Sequence, residues 1–179
     1  MNKESQNILK QWITELIEKN KISNSKKIKV ADIGSFNING TVKNTFAEEK
    51  INCEVTGFDL VKGDNVDVVI SCGTIPEKYK HKFEFVTCMS AFDFGCNNCI
   101  IRELLDISKQ KANILLSVQK DINDGKNQKN IYYHYRKNTN VMTHSEFVNF
   151  IKNIDVLEIR KFIKTEDSLG ENFYFITKK

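Results

Sequence analysis

The stretch Lys29-Val30-Ala31-Asp32-Ile33-Gly34-Ser35-Phe36-Asn37-Ile38-Asn39-Gly40, answered downstream by Val55-Thr56-Gly57-Phe58-Asp59-Leu60, decides the reading of this chain. The run 28–33 is apolar enough for a buried strand. Gly34 then marks a tight turn in which a residue without Cβ lets the backbone approach a ligand closely. Asn39-Gly40-Thr41 suit the cap of a helix over 41–49, whose free first-turn N–H groups face the same space. A second strand over 53–60 ends near Asp59, where a carboxylate can accept both hydrogen bonds of a ribose diol. Strand, glycine turn, helix, strand and carboxylate, in that order, describe a pocket for an adenosine-containing ligand.

Outward from this stretch, the apolar runs alternate with helical patterns. Residues 5–19 carry Ile8, Leu9, Trp12, Ile13, Leu16 and Ile17 as a helical stripe, and a polar connector runs to residue 27. Further strands are expected at 66–71, 83–89 and 113–118, with a helix at 97–109. Runs that are apolar on both faces, interleaved with helices, indicate a parallel sheet covered on both sides. Later the pattern changes. A helix over 143–152 opens on Thr143 with Glu146 as its capping-box partner. Strands at 155–163 and 172–177, joined by a polar loop containing Gly170, then form an antiparallel hairpin. The expected fold is a Rossmann-like, doubly wound α/β sheet, mostly parallel, over 28–179, preceded by an amphipathic helix and connector over 1–27.

Composition narrows the function classes. A chain of 179 residues, 40% hydrophobic and 28% charged, is expected to be one globular domain. Its 27 Lys and Arg against 23 Asp and Glu leave a net charge of +4, too mild to imply a nucleic-acid binder. No apolar run approaches the ~20 residues of a membrane span, and the N-terminal residues lack the apolar segment of a secretory signal. Five cysteines, an odd number sitting mostly in apolar strand-like runs, suit a reducing compartment, so a cytoplasmic location is expected.

Phe36 separates the candidate ligands. A nicotinamide dinucleotide needs small residues through G-x-G-x-x-G so that its pyrophosphate can rest on the helix N-terminus. This chain has Phe36 at the second glycine's place, which opposes a pyrophosphate. A phosphate-free adenosyl cofactor such as S-adenosylmethionine makes no such demand. Asp32, at the end of the first strand, suits an ammonium-bearing ligand.

The runs Asp32-Ile33-Gly34-Ser35-Phe36-Asn37-Ile38-Asn39-Gly40, Gly57-Phe58-Asp59-Leu60-Val61-Lys62-Gly63 and Asn65-Val66-Asp67-Val68-Val69-Ile70 resemble those of class I S-adenosylmethionine-dependent methyltransferases, of the broad type 11-like group. The element Tyr133-His134-Tyr135-Arg136 ahead of the 143–152 helix is similar to one found there too. The resemblance implies a seven-stranded sheet whose last strand inserts antiparallel. It implies S-adenosylmethionine as cofactor, with Gly34 near the methionine part, Asp32 near its amino group and Asp59 on the ribose. Ser35, Asn39, Gly40, Leu60, Ser71, Cys72 and Met89 complete the expected cofactor-binding set. No metal is implied. Two stretches depart from the pattern. Ser71-Cys72-Gly73 stand where an acidic residue meets adenine, and Met89-Ser90-Ala91-Phe92-Asp93-Phe94 stand where a Glu-His pair is common.

Methyl transfer from a sulfonium asks the protein to align the acceptor and, where needed, to remove a proton. Asp93 follows the fourth strand and is the carboxylate candidate. Histidine is the side chain suited to taking a proton near neutral pH, and His134, with Tyr135, belongs to the densest polar-aromatic cluster, so His134, Asp93 and Tyr135 form the expected catalytic set. Cys96-Asn97-Asn98-Cys99 lacks the second ligand pair that a zinc site requires. The expected activity is methyl transfer to a small-molecule acceptor. RNA or protein acceptors handled with a partner, and a catalytically inactive cofactor-binding module, are the alternatives.

Overall fold

The computed structural model describes residues 3–19, 21–22, 25–36, 41–70, 74–89, 97–119, 144–164 and 171–179. Helix α1 (Lys3–Glu18) precedes β1 (Ile28–Ile33), α2 (Val42–Glu48), β2 (Cys53–Asp59) and β3 (Val68–Val69). A single 3-10 turn (Glu77–Tyr79) leads into β4 (Phe83–Cys88) and α3 (Asn97–Ile107). Next come β5 (Ser108–Gln119), α4 (His144–Lys152), β6 (Leu157–Lys164) and β7 (Glu171–Lys178). The seven strands lie in the order β3-β2-β1-β4-β5-β7-β6. Strands β1 to β5 run parallel, and β7 lies antiparallel between β5 and β6. This is the doubly wound, mostly parallel sheet with a C-terminal antiparallel hairpin expected from the sequence.

Each face of the sheet buries its own cluster. On one, Leu9, Trp12 and Ile13 of α1 and Phe46 of α2 cover Val30, Phe85, Leu115 and Phe175. Trp12 sits with its ring centroid 4.9 Å from Phe85 and 5.7 Å from Phe175. The spacing of the apolar residues in α1 puts them on one stripe, and the stripe is what buries. On the other face, α3 and α4 bring Leu104, Ile107, Phe147 and Ile151 onto Ile33, Val86, Leu116 and Tyr174.

Most elements match expectation to within one or two residues at each end, and three differences bear on the sheet. Strand β3 is two residues long instead of 66–71. Asp67, just ahead of it, bonds Gly57 of β2 through both backbone and side chain, its N–H donating to the Gly57 carbonyl at 2.9 Å and its carboxylate accepting the Gly57 N–H at 2.8 Å, so the side chain takes the place of a ladder partner. Helix α3 stops at Ile107 instead of 109, because Ser108 donates its hydroxyl to the Leu104 carbonyl and enters the sheet opposite Phe83. Strand β5 therefore begins at Ser108 instead of 113, and it reaches its next pairing, Asn113 with Phe85, only after a bulge.

Candidate functional site

The switch point of this sheet lies between β1 and β4, where the chain leaves neighbouring parallel strands in opposite directions. Beyond the carboxyl end of β1 the backbone turns at Gly34, whose φ of 78° lies in the left-handed region that glycine adopts without strain. The turn stays attached to β2: the N–H groups of Gly34 and Ser35 both donate to the Phe58 carbonyl, at 2.8 and 3.1 Å. Thr41 caps α2, its hydroxyl accepting the Asn44 N–H at 3.0 Å. That is the cap expected at the start of this helix. Asn39 and Gly40, expected beside it, lie outside the described residues.

Asp59 ends β2 and holds the two loops together. One carboxylate oxygen accepts the Phe36 N–H at 3.0 Å and the other accepts the Val61 N–H at 3.1 Å. Each oxygen keeps a lone-pair direction for a further donor. Leu60 beside it is 61% exposed, and Val61 and Phe36 are exposed as well, so apolar surface surrounds the carboxylate.

Asp32 is in a different situation. It points into the sheet's α1 side and is almost wholly buried. Burial pushes its pKa up from 3.8 to about 7, opposed by the Thr87 hydroxyl and reinforced by the negative charge of Asp59. Thr87 donates to the Asp32 carboxyl at 2.8 Å, the shorter of its two contacts, the other being the Ala31 carbonyl at 3.3 Å. The β1–β4 register sets Asp32 directly opposite Thr87. Sequence reading missed Thr87, which only the β1–β4 register brings to Asp32.

Ser35 is buried and its hydroxyl has no hydrogen-bond partner. It faces Gly57, where an added Cβ would lie 2.6 Å from that hydroxyl and 1.9 Å from the Asn65 carbonyl oxygen. Gly57 is therefore glycine because two loops close over it. Met89 follows β4 and is buried in the cluster beneath α1. Ser71, Cys72, Asp93, His134 and Tyr135, as well as Thr143, lie outside the described residues.

The structure thus brings Asp32, Gly34, Ser35, Asp59 and Leu60 to the carboxyl ends of β1 and β2. Sequence reading also passed over His144, at the start of α4. Its ring stacks on Phe162 with centroids 4.1 Å apart, and its Nδ1 lies 3.0 Å from the Tyr174 hydroxyl. Among the described residues no helix is long and apolar enough to cross a membrane.

No protein-family model matches the sequence, and no curated protein matches it either. Solved structures do match. An S-adenosylmethionine-dependent methyltransferase from Methanosarcina mazei superposes with a TM-score of 0.63 at 16% identity, over 91% of this chain and 96% of that one. The magnesium protoporphyrin IX methyltransferase of Synechocystis PCC 6803, with bound S-adenosylmethionine, gives 0.62 at 11% identity, over 98% and 80%. The geranyl diphosphate C-methyltransferase of Streptomyces coelicolor A3(2) gives 0.63 at 10% identity, over 92% and 78%. Strand order, antiparallel seventh strand and these superpositions agree: the chain has the class I S-adenosylmethionine-dependent methyltransferase fold.

Proposed function

We propose that this chain is an S-adenosylmethionine-dependent methyltransferase acting on a small-molecule acceptor in the cytoplasm. The observation that carries the reading is the Asp59 carboxylate, held at the end of β2 by the N–H groups of Phe36 and Val61. A carboxylate fixed in this way, one strand from the switch point, is placed to accept the two hydroxyls of a ribose.

The surrounding residues fit the rest of such a cofactor. Leu60 offers exposed apolar surface for a face of adenine, and the Gly34 turn, which carries no Cβ, suits a close approach of the methionine part. Asp32 supplies a buried carboxyl suited to an ammonium, and the unpartnered Ser35 hydroxyl adds a polar group at the same turn. Asn39, Gly40, Ser71, Cys72 and Met89 complete the proposed binding set on sequence grounds. When bound, the cofactor supplies an electrophilic methyl group on a sulfonium. The chain's own residues then have two tasks: to align an acceptor in line with that methyl, and to take its proton. His134, Asp93 and Tyr135 are proposed for the second. A small acceptor is supported by two proteins of the same fold that are named for small molecules, magnesium protoporphyrin IX and geranyl diphosphate.

Calorimetry with S-adenosylmethionine and S-adenosylhomocysteine tests the site. Both are expected to bind with Kd on the order of micromolar. Asp59→Ala removes two hydrogen bonds to a charged acceptor, about 3 kcal/mol, so binding should weaken roughly 100-fold. Absence of binding to either ligand overturns the reading. Binding without methylation of any acceptor in a broad panel would instead make the chain a cofactor-binding module.

A further inference from the structure

At the amino ends of the strands, opposite Asp59, a hollow of about 320 Å³ opens between the segment before β1, the start of β4 and the bulge of β5. Ile22, Ile28, Phe85 and Ala112 form its apolar floor, and all four are buried. Four lysines line it: Lys21, Lys26, Lys109 and Lys111. Glu84 is the carboxylate among the lining residues, and it is already engaged. Its oxygens accept the Lys109 ammonium at 2.5 Å and the Lys29 N–H at 2.9 Å. Lys21, Lys26 and Lys111 form no ion pair among the described residues.

The bulge places two of these lysines. Between its pairings with Phe83 and Phe85, β5 takes more residues than β4, and the excess loops out beside the hollow. Lys111 sits in that loop with φ of 62°, a left-handed conformation that costs a non-glycine residue about 1 kcal/mol or more. Bulges of this kind re-aim side chains next to binding sites.

We propose that this hollow binds a small organic phosphate of about nucleotide size. Ammonium groups act as point charges for phosphate oxygens, and three without carboxylate partners match the charge of one or two phosphoryl groups. The apolar floor takes the organic part, and the volume lies at the lower end of ligand pockets. The inference does not rest on the methyltransferase reading. The six residues of β1 separate the two ends of the sheet by roughly 20 Å.

Probes without adenine keep the two ends distinct. Titration calorimetry of the full chain with pyrophosphate, uridine 5′-diphosphate and uridine should show saturable binding of the first two and none of the third. The triple variant Lys21→Gln, Lys26→Gln, Lys111→Gln should weaken that binding roughly tenfold or more, with its melting temperature and S-adenosylhomocysteine affinity unchanged. Single substitutions should each show part of the loss, which separates charge removal from unfolding. Raising ionic strength from about 0.05 to about 0.5 M should weaken the wild-type interaction as well. The proposal fails if neither phosphate probe binds, or if the triple variant binds them as wild type does. It fails equally if a ten-residue oligouridylate binds while both small probes do not.

Discussion

Asp32→Asn should make this protein more stable at pH 8 while leaving its stability at pH 4 nearly unchanged. The Asp32 carboxyl is taken out of water by folding, and burial lifts its pKa from 3.8 to about 7. As pH rises past 4 the unfolded chain releases this proton, while the folded chain holds it until about pH 7. Between those values the native state binds more protons than the unfolded state, so stability falls with rising pH and levels off above 7. About 1.4 kcal/mol per pH unit over this window amounts to on the order of 4 kcal/mol. Asparagine keeps an oxygen to accept the Thr87 hydroxyl and cannot ionise, so the variant escapes the loss. Urea unfolding at a series of pH values reads the difference. The single tryptophan, Trp12, is buried against Phe85 and reports unfolding by fluorescence. Wild type and variant should agree near pH 4 and diverge to a gap of a few kcal/mol by pH 8. Parallel curves, or a variant weaker than wild type at pH 8, would refute the reasoning. In the proposed function the same substitution removes the carboxylate facing the cofactor's ammonium, so the gain in stability should come with weaker S-adenosylmethionine binding.

Gly57→Ala places a methyl 1.9 Å from the Asn65 carbonyl oxygen, and Asn65 is itself held at φ 66°, so the loop has little freedom to give way. A destabilisation of about 3 kcal/mol is expected, lowering Tm by roughly 6–10 °C, and a Tm within about 2 °C of wild type would disprove the close approach. His134→Ala should lower turnover more than cofactor affinity. Release of S-adenosylhomocysteine with an acceptor found by panel screening checks this, and an unchanged rate would remove His134 from the proposed catalytic set.

How much of this was legible beforehand depends on how far apart the interacting residues lie. The positions of β1, β2 and Asp59 follow from local signals: an apolar run, a glycine turn and a carboxylate at a strand end. The antiparallel hairpin is equally local, because residues 157–178 hold two strand-like runs around a polar loop. The expected helix runs on through Ser108 and Lys109, because those residues extend a helical pattern in isolation, and 110–112 carry no strand-like apolar run. Pairing of Ser108 with Phe83 across β4 overrides that propensity. The Asp32–Thr87 bond joins residues 55 positions apart and exists only through the β1–β4 register. Nothing local to either residue announces it.

Phe36 shows the same distance effect with more consequence for the site. In the sequence it stands out as a bulky residue at a position where a pyrophosphate binder needs glycine. In the structure its ring lies against Gly63, so closely that a Cβ there would fall 2.0 Å from Cε2. An alanine at Gly63 would therefore push aside the exposed Phe36 ring, 27 positions earlier, while Gly63's own backbone conformation makes no demand. The same residue gives its N–H to Asp59, while Ser35 faces Gly57 and Asp67 bonds the Gly57 peptide groups. Three of these contacts tie the turn after β1 to β2 and the loop that follows it, and the Asp67–Gly57 pair fastens that loop back onto β2. The Asp59 carboxylate, which the proposed function assigns to the ribose, is thus held before any ligand arrives, so binding need not supply the cost of fixing those loops. That is also why Gly57→Ala, which touches no proposed ligand contact, should weaken cofactor binding together with stability.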